Sequence, residues 1–311
     1  MEDKEDAFMR NVLVTGAQGF LGSYISSVCA AEFKRVVAVD CHAPTQPVPD
    51  NVRAVTSDVT ASAFQEIVRK AKPDLLVHAA GPASVGASMK DPAGDFHGAL
   101  DSWLAVLDAV RLEAPNCRTI FLSSAAVYGQ PDALPVREET PLRPMSPYGY
   151  HKRMAEELLH EYHSVYGIEG CSLRIFSAYG AGLKKQVLYD ICLKALKQPT
   201  VELFGTGDET RDFLHGRDVA EAVVTIARRG RFEADIYNVA SGTETSIEEL
   251  ARTLLSALKC EKPLRFNGQR RGGDPLRWRA DVTRLNDLGF QPTIPLQAGV
   301  GEYASWVKQQ A

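Results

Sequence analysis

Six short runs in the first 177 residues are apolar almost throughout and rich in β-branched side chains. They are NVLVTG (11–16), RVVAVD (35–40), VRAVTSD (52–58), DLLVHAA (74–80), RTIFLSS (118–124) and CSLRIFS (171–177). Runs without polar alternation are what strands buried on both faces of a sheet require. Longer stretches of helical spacing separate them, at 21–33, 62–71, 96–113 and 149–166. This alternation predicts an α/β fold, a doubly wound parallel sheet with helices on both faces.

After about residue 177 the rhythm changes. A helical stretch (185–197) is followed by the short apolar runs VELF and IYNVA, on either side of another helix. SIEELARTLLSAL carries Ser246 and Glu249 in the spacing of a capping box. The mixed segment PLRFNGQRRGGDPLRWRAD then leads to a last short helix. The pattern predicts a first domain over 1–176 and a smaller C-terminal lobe over 177–311, with part of that segment returning to the first domain.

Composition narrows the function by exclusion. The 311 residues are 45% hydrophobic and carry a net charge of −4, so no basic surface calls for a nucleic acid. The opening MEDKEDAFMR is polar and acidic, unlike a secretory leader, and no run of about 18 apolar residues suggests a membrane span. The six cysteines have no zinc-ligand spacing, and His160 and His163 read as a solvated pair, so no metal site is expected. Reduced thiols fit a cytoplasmic protein.

TGAQGFLG (15–22) follows the first strand and opens a helix, with Gly16, Gly19 and Gly22 spaced GxxGxxG. Such a turn brings backbone close to a pyrophosphate and aims a helix N-terminus at its charge. Phe20 and Leu21 lie inside it. Asp40, ending the second strand, is placed to accept hydrogen bonds from both hydroxyls of an adenosine ribose; it would repel a 2′-phosphate, so NAD is expected rather than NADP. Asp58, with Val59 beside it, either meets the adenine or is a solvated loop carboxylate or helix cap. Ala79, Ala80 and Gly81 of HAAG let backbone approach the cofactor.

The candidate chemistry sits in SSAAVYG (123–129) and SPYGYHK (146–152). Tyr148 and Lys152 are four apart at the start of a helix, so their side chains share a face. A phenol ionises near pH 10, and a neighbouring ammonium together with the nicotinamide charge favours the phenolate. Ser124, ending a strand, can hydrogen-bond the same substrate oxygen.

With these motifs in order, the chain resembles the extended short-chain dehydrogenases/reductases of the nucleotide-sugar epimerase/dehydratase family. TGAQGFLG, Asp40, HAAG, VGASMKDP, FLSSAAVYG, PLRPMSPYGYHK, LRIFSAYG, GTGDETRDFLH, YNVASG and RRGGD carry the resemblance nearly end to end. It implies a Rossmann domain, NAD as cofactor, and Ser124, Tyr148 and Lys152 as the catalytic triad. It implies a nucleotide-diphosphate sugar as substrate, with Arg211 and Arg271 on the diphosphate and Asp274 on a ribose hydroxyl or capping a turn. Ser84 and Ser177 join them as substrate-side residues, and helices 96–113 and 149–166 are where the family forms homodimers.

The chain also departs from the family. Ser177 stands where many members have Asn, the usual Asn after VGxSxxxP is replaced within HGAL (97–100), and Gly216 follows His215 in place of a β-branched residue. Most telling are Ala125 and Ala126, where the family's 4,6-dehydratases carry an acid–base pair. Elimination needs such groups. What remains is hydride transfer with one proton moved by Tyr148, as in a C4 epimerase or an NAD(P)H-dependent reductase of a 4-keto-6-deoxy sugar. An NAD-sensing protein without catalysis is a third possibility, at odds with an intact Ser–Tyr–Lys set.

Overall fold

The computed structural model describes residues 10–269, 272–273 and 275–310. The chain begins with β1 (Asn11–Thr15), α1 (Phe20–Glu32), β2 (Arg35–Asp40), β3 (Val52–Thr56), α2 (Ala63–Ala71) and β4 (Leu75–His78). Two short helices, α3 (Val85–Ser88) and α4 (Pro92–Phe96), lead through a π-helical turn at His97–Asp101 into α5 (Ser102–Glu113). β5 (Arg118–Ser124), α6 (Pro147–Tyr166) and β6 (Gly170–Ile175) complete this half. There follow β7 (Ser177–Tyr179), α7 (Gln186–Lys197), β8 (Val201–Leu203), β9 (Thr210–Arg211), β10 (Phe213–His215), α8 (Gly216–Arg229) and β11 (Glu233–Val239). The chain ends with β12 (Thr245–Ser246), α9 (Ile247–Leu258), β13 (Leu264–Phe266), α10 (Thr283–Asp287) and α11 (Leu296–Gln310).

Seven strands form one parallel sheet in the order β11-β6-β5-β4-β1-β2-β3. The six runs predicted as strands supply six of them, each within a few residues of its predicted ends. The order reverses between β1 and β4, which opens a crevice at the carboxyl ends of those strands. α1 and α8 cover one face through Ile25, Val28, Val223 and Ile226. On the other face α2, α5 and α6 pack around Phe64, Trp103, Leu107 and Leu159. The doubly wound architecture is therefore present.

IYNVA is the core of β11, which pairs with β6 and forms the sheet's outer strand. A third core lies apart from the sheet, where α7, α9 and α11 bury Ile191, Leu254 and Val300. The closing helix, α11, runs 15 residues and is longer than the short helix expected. Its two glycines blur the helical pattern. Gly299 is needed there, because a Cβ would sit 2.3 Å from the Tyr179 hydroxyl. Gly216 has a similar reason, since a Cβ would meet the Tyr24 ring at 2.7 Å.

Helix α6 is firmly placed. The Ser146 hydroxyl caps it by accepting from Gly149 N at 3.2 Å, Pro147 follows, and Gly167 (φ 72°) ends it. Inside, Arg174 of β6 donates to Glu156 of α6 at 2.7 Å, and Ser123 of β5 donates to the same carboxylate at 2.5 Å. Tyr128 links Arg174 to Asn238 of β11. The helix and three strands are thus tied by one buried polar network, which fixes α6 against the sheet.

Candidate active site

The turn after β1 is built by glycine. Gly16 adopts φ 68°, and a Cβ on it would lie 2.6 Å from Ala80 N; a Cβ on Gly22 would lie 1.9 Å from Gly16 O. No side chain caps α1, whose N-cap is Gly19. The first N–H groups of a 13-residue helix are therefore left for an outside acceptor. Asp40 ends β2 beside this turn and accepts from Gln18 N at 2.9 Å. A backbone cradle, an uncapped helix start and a carboxylate at the next strand end fit a dinucleotide. Asp58 is occupied locally: its Oδ1 accepts from both the N–H and the hydroxyl of Thr60 at 2.8 Å, which holds its carboxyl below the usual range. Val59 is buried against Val39 and Phe64.

A cleft of about 660 Å³ opens beside the cradle. Gly19, Phe20, Leu21, Ala79, Ala80 and Gly81 line it, together with Ser84, Ser177 and Arg211. Ser124, Tyr148 and Lys152 line it too. Residues from β5, α6, β9 and the loop after β4 are thus brought to one cavity. Gly16, Gly22, Asp40, Asp58 and Val59 are not among its lining residues. Arg271 and Asp274 lie outside the described residues.

Ser124 hydrogen-bonds the Tyr148 phenol. Its oxygen also accepts from Ala126 N at 3.2 Å. Tyr148 N donates to Ser88 Oγ at 3.1 Å, so α3 holds the start of α6. Lys152 is 8% exposed. Its ammonium donates to Leu122 O at 2.8 Å and lies 4.6 Å above the Phe121 ring.

Burial acts on both groups. It pushes the phenol up to about 12, although the Ser124 hydrogen bond pulls it back. Desolvation brings the Lys152 ammonium down to about 8, opposed by the charges of Asp95 and Glu156. In the protein alone, burial thus outweighs the acidifying effect expected of Lys152 on Tyr148, because an amine brought down to about 8 is already neutral where a phenol near 12 ionises. The positive nicotinamide ring is left as the means of lowering the phenol.

Ala125 and Ala126 form the turn after β5, and Ala126 lines the cleft. Among the described lining residues the carboxylates are Asp190 and Glu209. Asp190 pairs with Lys194 at 2.8 Å, and Glu209 accepts from Thr206 N and Gly207 N. No acid–base pair stands beside Ser124 among the described residues.

Several residues of the site were not singled out from sequence. Lys185 lines the cleft and donates to Ala83 O at 2.7 Å. Trp278 lies under the Arg211 guanidinium, 5.6 Å from it, with its indole N–H on Gly129 O. The pair His151–Asp95 sits behind Tyr148. Only His151, inside YGYHK, carried a sequence signal.

The match to known proteins is extensive. Residues 12–240 match the NAD dependent epimerase/dehydratase family. A putative UDP-glucose 4-epimerase of Methanocaldococcus jannaschii is 30% identical, covering 96% of this chain and 98% of its own length. The UDP-glucose 4-epimerase of Azospirillum brasilense is 31% identical over 98% of this chain and 94% of its own. The crystal structure of Thermus thermophilus UDP-glucose 4-epimerase in complex with NAD superposes with a TM-score of 0.86 at 27% identity, covering 96% of this chain and 99% of that one. The chain belongs to the NAD-dependent epimerase/dehydratase family, as an NAD-using enzyme of the extended short-chain dehydrogenase/reductase type.

Proposed function

We propose that this protein is a C4 epimerase of a UDP-linked sugar, acting through a transient 4-keto sugar. The carrying observation is that Ser124, Tyr148 and Lys152 share one cleft while alanines occupy the two positions after Ser124. Relatives named as UDP-glucose 4-epimerases support this reading over a reductase or a sensor.

Bound NAD supplies the acceptor and donor of hydride at C4. Tyr148 takes the proton of the C4 hydroxyl and later returns it, and Ser124 steadies the same oxygen. Lys152 would hold positive charge behind the phenol and bind the nicotinamide ribose. Asp40 takes the adenosine ribose diol. On the lobe, Arg211 anchors the diphosphate, with Arg271 assigned alongside it and Asp274 on the ribose or a turn. Ser84 and Ser177 face the sugar. Epimerisation requires the keto sugar to present both faces, and the small Ala126, Gly81 and Ser177 are among the residues lining the cleft.

The 1–176 and 177–311 division assigns NAD to the first part and the nucleotide sugar to the second. We assign a homodimer to the outer faces of α5 and α6, where Leu104, Leu112, Tyr150, Met154 and Val165 are exposed. The six unpaired cysteines fit a cytoplasmic setting. Among the described residues no helix is long and apolar enough to cross a membrane.

Mass spectrometry of small molecules released from the denatured protein tests the reading. It predicts NAD together with a UDP-sugar or UDP. Recovery of NADP alone, or of a different nucleotide, would count against it.

A further inference from the structure

Behind the catalytic face of α6 lies a second ionisable pair that the mechanism above does not use. Asp95 of α4 and His151 of α6 meet at 2.6 Å between Oδ2 and Nδ1. Both are buried, at 5% and 8% exposure. The other carboxylate oxygen, Oδ1, is buried with no hydrogen-bond partner among the described residues. A carboxylate with one oxygen unpaired keeps much of its charge unscreened, and its field is long in a dry interior.

That field is aimed at the reaction. His151 is three residues after Tyr148 and directly precedes Lys152, so the residue gripping Asp95 neighbours the phenol on the helix surface. The grip is firm on both sides. Pro92 starts α4, Asp91 caps it by accepting from Gly94 N at 2.9 Å, and Phe96 stands edge-on to the His151 ring at 5.4 Å. A buried carboxylate with an idle oxygen is an expensive way to pack two helices.

We propose that the Asp95–His151 pair is a positioning element for the reaction, placing negative charge behind Tyr148 and Lys152 and so setting the pH range in which Tyr148 exchanges its proton. The charge of Asp95 raises the pKa of both groups, keeping the phenol protonated at rest and the ammonium charged against burial. The other groups facing this point leave the role to Asp95. Glu156, paired with Arg174, acts on Lys152 but not on Tyr148, and His78 of β4 is held neutral by burial, down at about 3. The His97–Asp101 pair of the π-helical turn is exposed and screened by water.

The inference rests on the role given to Tyr148, but its test does not require turnover. The tyrosinate absorbance of NAD-saturated protein is titrated with pH, and the same titration of Tyr148→Phe is subtracted to isolate one phenol. Asp95→Asn keeps the shape and removes the charge. It should shift the Tyr148 midpoint to lower pH by about half a unit or more, roughly a threefold rise in its ionisation constant. His151→Leu, which strips Asp95 of its partner, should displace the midpoint in one direction or the other and serves if Asp95→Asn does not fold. Restored charge in Asp95→Glu should bring the midpoint back toward the parent value. Folded variants whose midpoint stays in place, whatever their activity, overturn the proposal and leave the pair a packing contact. Failure of every UDP-sugar to turn over would strike the epimerase reading and leave this result standing.

Discussion

The seven-stranded sheet half and the C-terminal lobe are held together by different forces. From β1 to β6 the backbone pairs with itself in a continuous parallel ladder, and the side chains are free to be apolar. Beyond residue 176, apart from β11, the strands are two or three residues long and pair in twos. Buried carboxylates do there what the ladder does in the other half. Asp212 accepts from Ser241 N and Oγ, Gly242 N and Ala280 N. Asp218 accepts from Thr293 N and Ile294 N. A sheet spreads its hydrogen bonds over many residues, whereas a staple concentrates them in one. The lobe can therefore change its loops one staple at a time, while the sheet half keeps its geometry.

The largest expected effect follows from that contrast. Asp212→Ala strands three N–H donors at once, one buried and two half-buried, at a cost of about 2–4 kcal/mol. Thermal unfolding should drop steeply. A normal melting temperature would mean that the loops hold themselves and that the comparison is wrong. Asp212 also gives a pH test, because burial raises its carboxyl to about 6 despite these donors. Its folded value lies above the unfolded one, so its contribution to stability grows as pH falls from about 6 towards 4. Asp212→Asn should flatten that part of the stability profile.

Next is the seam between the halves. Tyr148→Phe keeps the ring and removes the proton carrier, so turnover should fall by about a hundredfold or more with both ligands still bound. Near-normal turnover would move the acid–base role elsewhere.

Smaller effects separate the two ligands. Arg211→Ala should weaken UDP-sugar binding by about 2 kcal/mol and leave NAD affinity unchanged. Asp40→Ala should do the converse, weakening NAD and eroding its preference over NADP by about tenfold. Calorimetry of all four pairings checks this. Equal loss of both ligands in either variant would show general destabilisation and blur the division.

The same contrast decides what could be read from sequence. RVVAVD and RTIFLSS announce buried parallel strands because every residue answers to one apolar environment. TGAQGFLG announces its turn because Gly16 and Gly22 leave no room for a Cβ. Ser124, Tyr148 and Lys152 were legible as a set because a strand end and an i, i+4 pair have fixed reach. The lobe's strands are too short to show a period, and β9 is only Thr210–Arg211. Nothing in the sequence marked Asp212 and Asp218 as staples, since nothing local distinguishes a staple from a solvated carboxylate. Asp95 was hidden for the same reason: its partner is 56 residues away.

The central claim is that Tyr148 moves one proton at C4 and that Ala125 and Ala126 leave the chain unable to eliminate water. NMR of the sugar products, after incubation with NAD and a panel of UDP-, GDP-, dTDP- and CDP-hexoses, tests it most directly. The account predicts a mixture of C4 epimers from a UDP-sugar, with no net reduction of NAD and no 4-keto-6-deoxy product. Accumulation of a 4-keto-6-deoxy sugar from an unmodified hexose would contradict it, because an acid–base pair would then have to come from elsewhere in the chain.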